Sequence, residues 1–263
     1  MMEKCEGFQS PSIINLVVSI GLALGIVVSY VPQHVRIVRR RSSEGISPWF
    51  LLLGTASGIC AVCNILLLGR PVYSCCRVIS GGECFAASLG IVQITLQASM
   101  AALIVVLALI FARKPPYQTP EEYAKIVLVG EMSLLALLCS AIPAFYVYYY
   151  QPQHINSVAN IFGLAGAALA VLQYFPQIYT TATLQHAGSL SIPMMCLQTP
   201  GGFVWAASLA QREGTTWSSW LPYFTAATLQ GIVLVMAVYF EQRNKRQALS
   251  ITQPEYGALD QED

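Results

Sequence analysis

Seven long apolar stretches constrain this chain more than any other feature of its sequence. A helix needs roughly 20 mostly apolar residues to cross a bilayer core about 30 Å thick. Such stretches cover residues 13–35, 48–68, 84–111, 126–148, 158–179, 192–209 and 217–240. Hydrophobic residues make up 55% of the 263 residues and charged residues only 10%, against about 25% charged in soluble proteins. The sequence therefore predicts an all-α integral membrane protein whose main partner is the lipid bilayer.

Two of these stretches carry the same short motif near their ends, Tyr30-Val31-Pro32-Gln33 and Tyr174-Phe175-Pro176-Gln177. A polar turn follows each motif, over residues 45–47 or 189–191, and then comes a second apolar stretch. At the offset that places Pro176 on Pro32, further identities occur without a gap at the pairs Ser47 and Ser191, Thr55 and Thr199, and Gly58 and Gly202. The pattern predicts an internal duplication.

The doubled Pro-Gln motif and its surroundings, over roughly residues 13–210, resemble the PQ-loop repeat family. That family includes lysosomal and vacuolar exporters of cystine and cationic amino acids and is related to the SWEET sugar carriers. The resemblance implies seven transmembrane helices, arranged as two parallel three-helix bundles and a linking helix. We accordingly expect a lumenal or extracellular N-terminus at 1–12, repeats at 13–111 and 158–240, a loop and linking helix at 112–157, and a disordered cytosolic tail at 241–263.

The Lys and Arg residues predict the orientation of the seven stretches in the membrane. Ten of the 14 lie in the first, third and fifth loops or in the C-terminal tail, which share one side. Because cytosolic loops carry the excess of positive charge, this side is predicted to be cytosolic. Tyr256-Gly257-Ala258-Leu259 in the tail resembles a tyrosine-based sorting signal read by a sorting adaptor, and it predicts a vacuolar, lysosomal or other endomembrane location.

The eight cysteines fall into two groups. Four lie on the predicted lumenal side, where an oxidising compartment would allow a disulfide: Cys5, Cys75, Cys76 and Cys84. Whether a disulfide forms, and between which of them, stays open at this stage. The other four lie inside apolar stretches, where cysteine packs as a small apolar group: Cys60, Cys63, Cys139 and Cys196.

The Pro-Gln motifs have two interpretations. Proline removes a backbone donor and kinks a helix, and the glutamine amide offers both a donor and an acceptor. Pro32, Gln33, Pro176 and Gln177 would then form two hinges, the role that the resemblance implies. The alternative is that each motif only ends its helix where the chain turns.

Few polar residues lie at the depth where carriers built from repeats bind their solutes, near the midplane and between the halves. The substrate-path candidates are Tyr30, Asn64, Gln93, Gln97, Tyr174, Gln198, Trp205 and Gln230. Gln198 also precedes a predicted break at Pro200-Gly201-Gly202. Asn64 leads because related sugar carriers have an asparagine in the pocket, although its counterpart in the second repeat is Ser208. The alternative is that these side chains only bond between helices.

Two residues are candidates for proton coupling. Glu131 is the carboxylate predicted within a membrane stretch, about one turn into the fourth, and an intramembrane acid is a functional candidate. His34 is the second candidate because histidine is the side chain that changes charge most readily near physiological pH, but Ile178 takes its place in the second copy. The alternatives are an interfacial Glu131 near Lys125 and facilitated movement without protons.

The leading functional hypothesis is a carrier that moves a small solute, an amino acid or a related metabolite, across an organelle membrane. The alternative is a protein that scrambles phospholipid or acts as a membrane scaffold. We find no nucleophile and base set, no metal-ligand spacing and no phosphate-binding glycine loop, so we expect neither an enzyme nor a bound cofactor. The net charge of +1 indicates no nucleic-acid partner, and homo-oligomerisation stays open.

Overall fold

The computed structural model describes Cys5 and residues 13–111, 119–210 and 217–259, and the long elements among these are all α-helices. A short 3-10 helix, Pro152–His154, precedes α6. The helices are α1 (Ile13–Arg40), α2 (Pro48–Leu68), α3 (Arg70–Cys75), α4 (Gly81–Phe111), α5 (Pro120–Tyr150), α6 (Ile155–Leu172), α7 (Tyr174–Leu184), α8 (Ile192–Ala210) and α9 (Trp217–Leu259).

Six helical segments of the described chain are long and apolar enough to span a membrane. They are Ser19–Arg40, Pro48–Leu68, Gly81–Phe111, Pro120–Tyr150, Pro152–Leu184 and Tyr223–Gln247. The sixth predicted stretch, 192–209, corresponds to α8, which is helical but is not among these six segments. Its sequence explains the difference, because Pro193, Pro200 and the Gly201-Gly202 pair dilute its apolar residues. The chain is therefore a multi-pass membrane protein.

The helices pack in the order expected for a duplicated three-helix unit. In the first repeat α4 packs against both α1 and α2, and in the second α9 packs against α6, α7 and α8. Between the repeats, α2 packs against α6, and α1 packs against α8. These two contacts are equivalent, because α1 corresponds to α6 and α7 in the second repeat, and α2 corresponds to α8. The first is much the more extensive. Helix α5, which links the repeats, packs mainly on α2 and α4.

The α2–α6 contact depends on small residues. A Cβ added to Gly166 would lie 3.3 Å from the Cβ of Cys60, a tight contact, so glycine lets the two helices approach without displacing Cys60. The close approach lets the Ser57 hydroxyl donate to the carbonyl oxygen of Gly166 at 2.8 Å. Small residues that let helix backbones meet are the usual basis of helix association in lipid.

Several predicted helix ends differ in the structure. Helices α1 and α7 continue about two turns past their Pro-Gln motifs, to Arg40 and Leu184, so the motifs do not end the helices. The predicted break at Pro200 is also absent, since α8 continues through it. Helix α9 reaches Leu259, through the segment predicted to be disordered. The side chains of the proposed sorting segment, Tyr256 to Leu259, lie outside the described part, as do most of residues 1–12.

The four cysteines assigned to one side form two disulfides, Cys5 with Cys75 and Cys76 with Cys84. The first ties the N-terminal segment to α3, and the second ties the end of α3 to the start of α4. The four cysteines predicted inside the helices are free thiols. The disulfides lie at the end of the molecule opposite the turns at 45–47 and 189–191, and we call these two ends the disulfide face and the turn face.

Candidate functional site

Gln33 joins the first repeat to the turn of the second. Its side chain is only 2% exposed. The Nε2 group donates to the carbonyl oxygen of Ser189 at 2.9 Å, and the Oε1 atom accepts from the backbone N–H of Ser191 at 2.6 Å. One amide thus satisfies a backbone acceptor and a backbone donor that would otherwise be buried without partners.

Gln177 makes the same contact in the opposite direction. Its side chain is 1% exposed. Its Nε2 group donates to the carbonyl oxygen of Gly45, and its Oε1 atom accepts from the N–H of Ser47, both at 2.9 Å. The Nε2 group also donates to the Thr181 hydroxyl at 3.1 Å. We call the two glutamines and the turns at 45–47 and 189–191 the Pro-Gln clasp.

The local sequence builds the two turns alike. Each preceding helix ends in a left-handed residue, Arg41 with a φ of 51° and Gln185 with a φ of 52°. Each following helix has a serine at its N-cap, Ser47 or Ser191, whose hydroxyl accepts from the N–H three residues later at 3.4 or 3.3 Å. Serine is among the preferred N-cap residues because its hydroxyl replaces a missing helical acceptor. The repeated serine therefore both caps a helix and presents its own N–H to a glutamine.

The two turns also touch each other directly. Gly45 has a φ of 86° and Gly188 a φ of 52°, a conformation that glycine adopts without strain. A Cβ on Gly45 would lie 2.7 Å from the carbonyl oxygen of Ala187. The N–H of Ser189 donates to the carbonyl oxygen of Glu44 at 2.5 Å. The turn face is therefore closed by backbone in contact with backbone.

Arginines reinforce this closure from the first repeat alone. Arg36 donates to the carbonyl oxygen of Gly188 through Nε at 3.0 Å and Nη2 at 2.6 Å, and Arg40 donates to the same oxygen. Their counterparts in the second repeat are Thr180 and Leu184, which carry no cation.

Directly behind the clasp, side chains from both repeats form a polar cluster. Gln198 of α8 donates to the Ser29 hydroxyl of α1 at 3.1 Å and is hydrogen-bonded to Tyr30. Gln230 of α9 donates to Gln198 Oε1 at 3.2 Å, and the Tyr174 hydroxyl donates to Gln230 Oε1 at 3.3 Å. Four predicted substrate-path residues thus meet in one network about a helical turn from the clasp.

A buried hydroxyl next to this cluster has no hydrogen-bond partner among the described residues. It belongs to Thr199, which follows Gln198 on α8 and is 8% exposed. Its counterpart Thr55 donates to the carbonyl oxygen of Leu51 at 2.7 Å. A buried hydroxyl without a partner is costly, so Thr199 differs from Thr55 in having hydrogen-bonding capacity that the described residues do not use.

Two further candidates bond to helix backbones. Asn64 donates to the carbonyl oxygen of Ala159 at 2.7 Å, across the α2–α6 contact. Gln93 donates to the carbonyl oxygen of Ser19 at 2.7 Å, across the α1–α4 contact. Both arrangements match the interhelical alternative, since an amide in this position holds two helices together.

The remaining path candidates lie apart from these bonds. Gln97 is exposed on α4, whereas Gln93, one turn earlier, is buried. Trp205 is half-buried on α8. It lies seven residues after Gln198 and so occupies the same side of the helix.

Of the two proton-coupling candidates, only His34 lies beside a member of the polar cluster. His34 packs near Tyr30, with ring centroids 6.0 Å apart, and its Nε2 atom lies 3.0 Å from the carbonyl oxygen of Met100. Glu131 is exposed on α5. Because α5 begins at Pro120, Glu131 lies about three turns into the helix rather than one.

Sequence reasoning missed Ser29, Thr181 and the role of the turns as partners of the glutamines. The identity of Ser47 and Ser191 in one register was the available signal for the turns. Ser29 and Thr181 have no such identity, because their counterparts are Gln173 and Ile37.

Comparison with known proteins agrees with the duplicated architecture. A family model described as PQ loop repeat matches the chain twice, at residues 14–74 and 158–217. The chain is also 28% identical over 268 residues to the uncharacterized protein C4C5.03 of Schizosaccharomyces pombe, covering 90% of this chain and 85% of the relative. No solved structure matches.

Proposed function

This chain belongs to the PQ-loop repeat family, and we propose that it is a carrier of a small polar solute across a membrane. The observation that supports this most is the reciprocal Pro-Gln clasp, with the polar cluster directly behind it. A carrier needs a gate that closes one side of its binding site while the other side opens. The clasp supplies such a gate at the turn face.

The chemistry of the clasp suits repeated opening. Its bonds run from side-chain amides to backbone groups of the other repeat, so separating the repeats breaks them without unwinding a helix. Each amide can then hydrogen-bond to water or to solute. Rigid movement of one repeat against the other is the usual basis of alternating access in carriers built from repeats.

The polar cluster is the proposed solute site. It offers hydroxyl and amide groups from α1, α7, α8 and α9, and the unpaired hydroxyl of Thr199 lies beside it. These groups suit a small solute with several hydrogen-bonding atoms, such as an amino acid or a related metabolite. The site lies between the repeats, where the alternating movement would expose it to each side in turn.

The proposed location is a vacuolar, lysosomal or other endomembrane, with the turn face in the cytosol and the disulfide face in the lumen. Two observations support this orientation. The excess of Lys and Arg lies on the turn side. Both disulfides lie on the opposite side, and disulfides persist in oxidising compartments.

The alternative, phospholipid scrambling, is favoured by one observation. Thr95 and Ser99 are exposed four residues apart on one face of α4, where they would present polar groups to the bilayer. A lipid path requires such a polar groove, whereas a solute carrier encloses its polar residues. The network that joins the two repeats at the polar cluster supports the carrier.

The test is uptake into liposomes by the purified protein, with radiolabelled amino acids and sugars and with or without a pH gradient. We expect saturable uptake that falls at least tenfold in Gln33→Ala/Gln177→Ala, because each change leaves buried backbone groups unpaired at a cost of about 1–3 kcal/mol. Gln153→Ala, which removes an exposed glutamine, is the matched control.

A fluorescent-lipid assay on the same liposomes separates the alternatives. Lipid movement without solute uptake would replace the carrier by the scrambling function. Full uptake by the double variant would remove the clasp from the mechanism. Dependence of uptake on the pH gradient would make Glu131→Gln and His34→Gln the next variants.

A further inference from the structure

A basic recess lies on the disulfide face, away from the clasp and the polar cluster. Helix α3, its following turn and the end of α5 border this open recess, which has a volume of about 260 Å³. Its lining residues are Arg70, Tyr73, Ser74, Arg77, Tyr148 and Tyr149. Neither the clasp nor the proposed solute site uses any of them.

The recess holds two guanidinium groups without a counterion among the described residues. The Arg70 guanidinium lies over the ring of Tyr148, 5.5 Å from its centroid, a cation–π contact. Arg77 is exposed and has no described partner. The ion pair in the described part, between His186 and Glu44, lies on the turn face. Guanidinium donors match the oxygen geometry of phosphate well.

The tyrosines add neutral donors around these cations. Burial, with a smaller contribution from Tyr148, raises the pKa of Tyr73 above its usual value, so its hydroxyl stays protonated. Tyr148 and Tyr149 end the long apolar helix α5. Tyrosine rings at the end of a membrane helix are typical of the level of the lipid headgroups.

An apolar groove adjoins the recess and shares Arg70 and Ser74 with it. The groove has a volume of about 390 Å³. Leu67, Leu68 and Ile155 line it, and the Cys5–Cys75 disulfide forms part of its wall. A cationic recess beside an apolar groove, at the end of the membrane helices, has the shape of a headgroup site with an acyl chain site next to it.

We propose that this recess binds the phosphate of an anionic phospholipid from the leaflet on the disulfide face, with an acyl chain along the adjoining groove. A free phosphate anion would offer the arginines the same charge. It would leave the groove unused, so the groove favours the lipid as the source.

The test is native mass spectrometry of the purified protein titrated with dioleoyl phosphatidylglycerol or dioleoyl phosphatidylcholine. We expect tighter binding of the anionic lipid. Arg70→Gln and Arg77→Gln should each weaken it about fivefold, the usual effect of one cation near an anionic lipid surface. Arg39→Gln removes the same charge from an exposed position on the turn face and is the matched control.

Three outcomes would overturn the proposal: equal affinity for the two lipids, an equal loss in Arg39→Gln, or displacement of phosphatidylglycerol by an equimolar amount of inorganic phosphate. The last would identify a free anion as the ligand. Unfolding temperatures measured in phosphatidylcholine alone control for folding. If Arg70→Gln unfolds because its contact with Tyr148 is lost, the exposed Arg77 still allows the test.

Discussion

The two repeats make the same clasp from differently built helices. In the first, α1 runs without interruption for 28 residues through Pro32. In the second, the equivalent helix is interrupted at Gln173, three residues before Pro176, between α6 and α7, although Gln173 itself keeps helical dihedral angles. Yet the amide-to-carbonyl bond of the clasp is 2.9 Å in both. The clasp geometry therefore depends on the glutamine and the opposing turn, and not on a continuous helix.

The repeats also differ in what surrounds the clasp. Arg36 and Arg40 of the first repeat bond to the turn of the second, and among the described residues no arginine of the second repeat bonds to the turn of the first. Glycine takes a different place in each turn, since Gly45 aligns with Ser189 and Gly188 aligns with Glu44. The two repeats are therefore closely symmetric in their glutamine bonds and less so in the arginines and glycines around them.

The largest expected effect comes from filling the contact between the turns. Gly188→Ala would place a methyl group against the carbonyl oxygen of Glu44, and Gly45→Ala one against Ala187. Both residues also have positive φ. Strain of this kind costs about 1–3 kcal/mol, so we expect a clearly lower unfolding temperature for each variant in detergent.

Gly82→Ala is the control for this pair, because a Cβ there meets nothing within 4 Å. If Gly188→Ala were no more destabilising than Gly82→Ala, the two turns would not be in contact in the folded protein.

A smaller effect should separate the two prolines. Pro176→Ala restores an N–H that can donate to the carbonyl of Leu172, four residues earlier, which would join α6 to α7. A proline inside a helix costs about 3 kcal/mol, so its removal favours the continuous helix. If the division is a hinge, uptake into liposomes should fall several-fold. Pro32→Ala, in a helix that is already continuous, should change uptake less. Equal effects would show that the division of the second helix has no separate role.

The smallest effect is expected at Asn64. Its bond to Ala159 joins α2 to α6, and such bonds average about 0.6 kcal/mol in membrane proteins. Asn64→Ala should lower the unfolding temperature slightly and leave the KM for uptake unchanged. Gln198→Ala, in the polar cluster, should raise that KM. A raised KM with unchanged stability in Asn64→Ala would place Asn64 in the solute path after all.

The sequence predicted the helices and both turns, because apolar length and a repeated motif are local signals. The partners of the glutamines were not predictable, since Gln33 bonds to Ser189, 156 residues away, and Gln177 to Ser47, 130 residues away. Asn64 shows the same limit. A polar amide within a membrane helix needs a hydrogen-bond partner, and the sequence does not tell whether that partner is a neighbouring helix or a solute.

The cysteines show a different limit. Four cysteines allow three pairings, and their spacing does not select one. The structure selects one because Cys5 lies beside Cys75 at the end of α3, which leaves Cys76 close to Cys84. The short helix α3 that produces this arrangement was itself too short to be recognised in an apolar sequence.

The reciprocal form of the clasp has a consequence for ancestry. In the clasp, the glutamine of each repeat bonds to the turn of the other repeat. A contact that is reciprocal in this way is called isologous, and it is the kind that joins identical subunits about a two-fold axis. A half-length chain with one Pro-Gln motif and one serine turn already carries both sides of that contact. The clasp therefore needs no feature that arose after the duplication, and a symmetric dimer of such half-length chains would close its turn face in the same way.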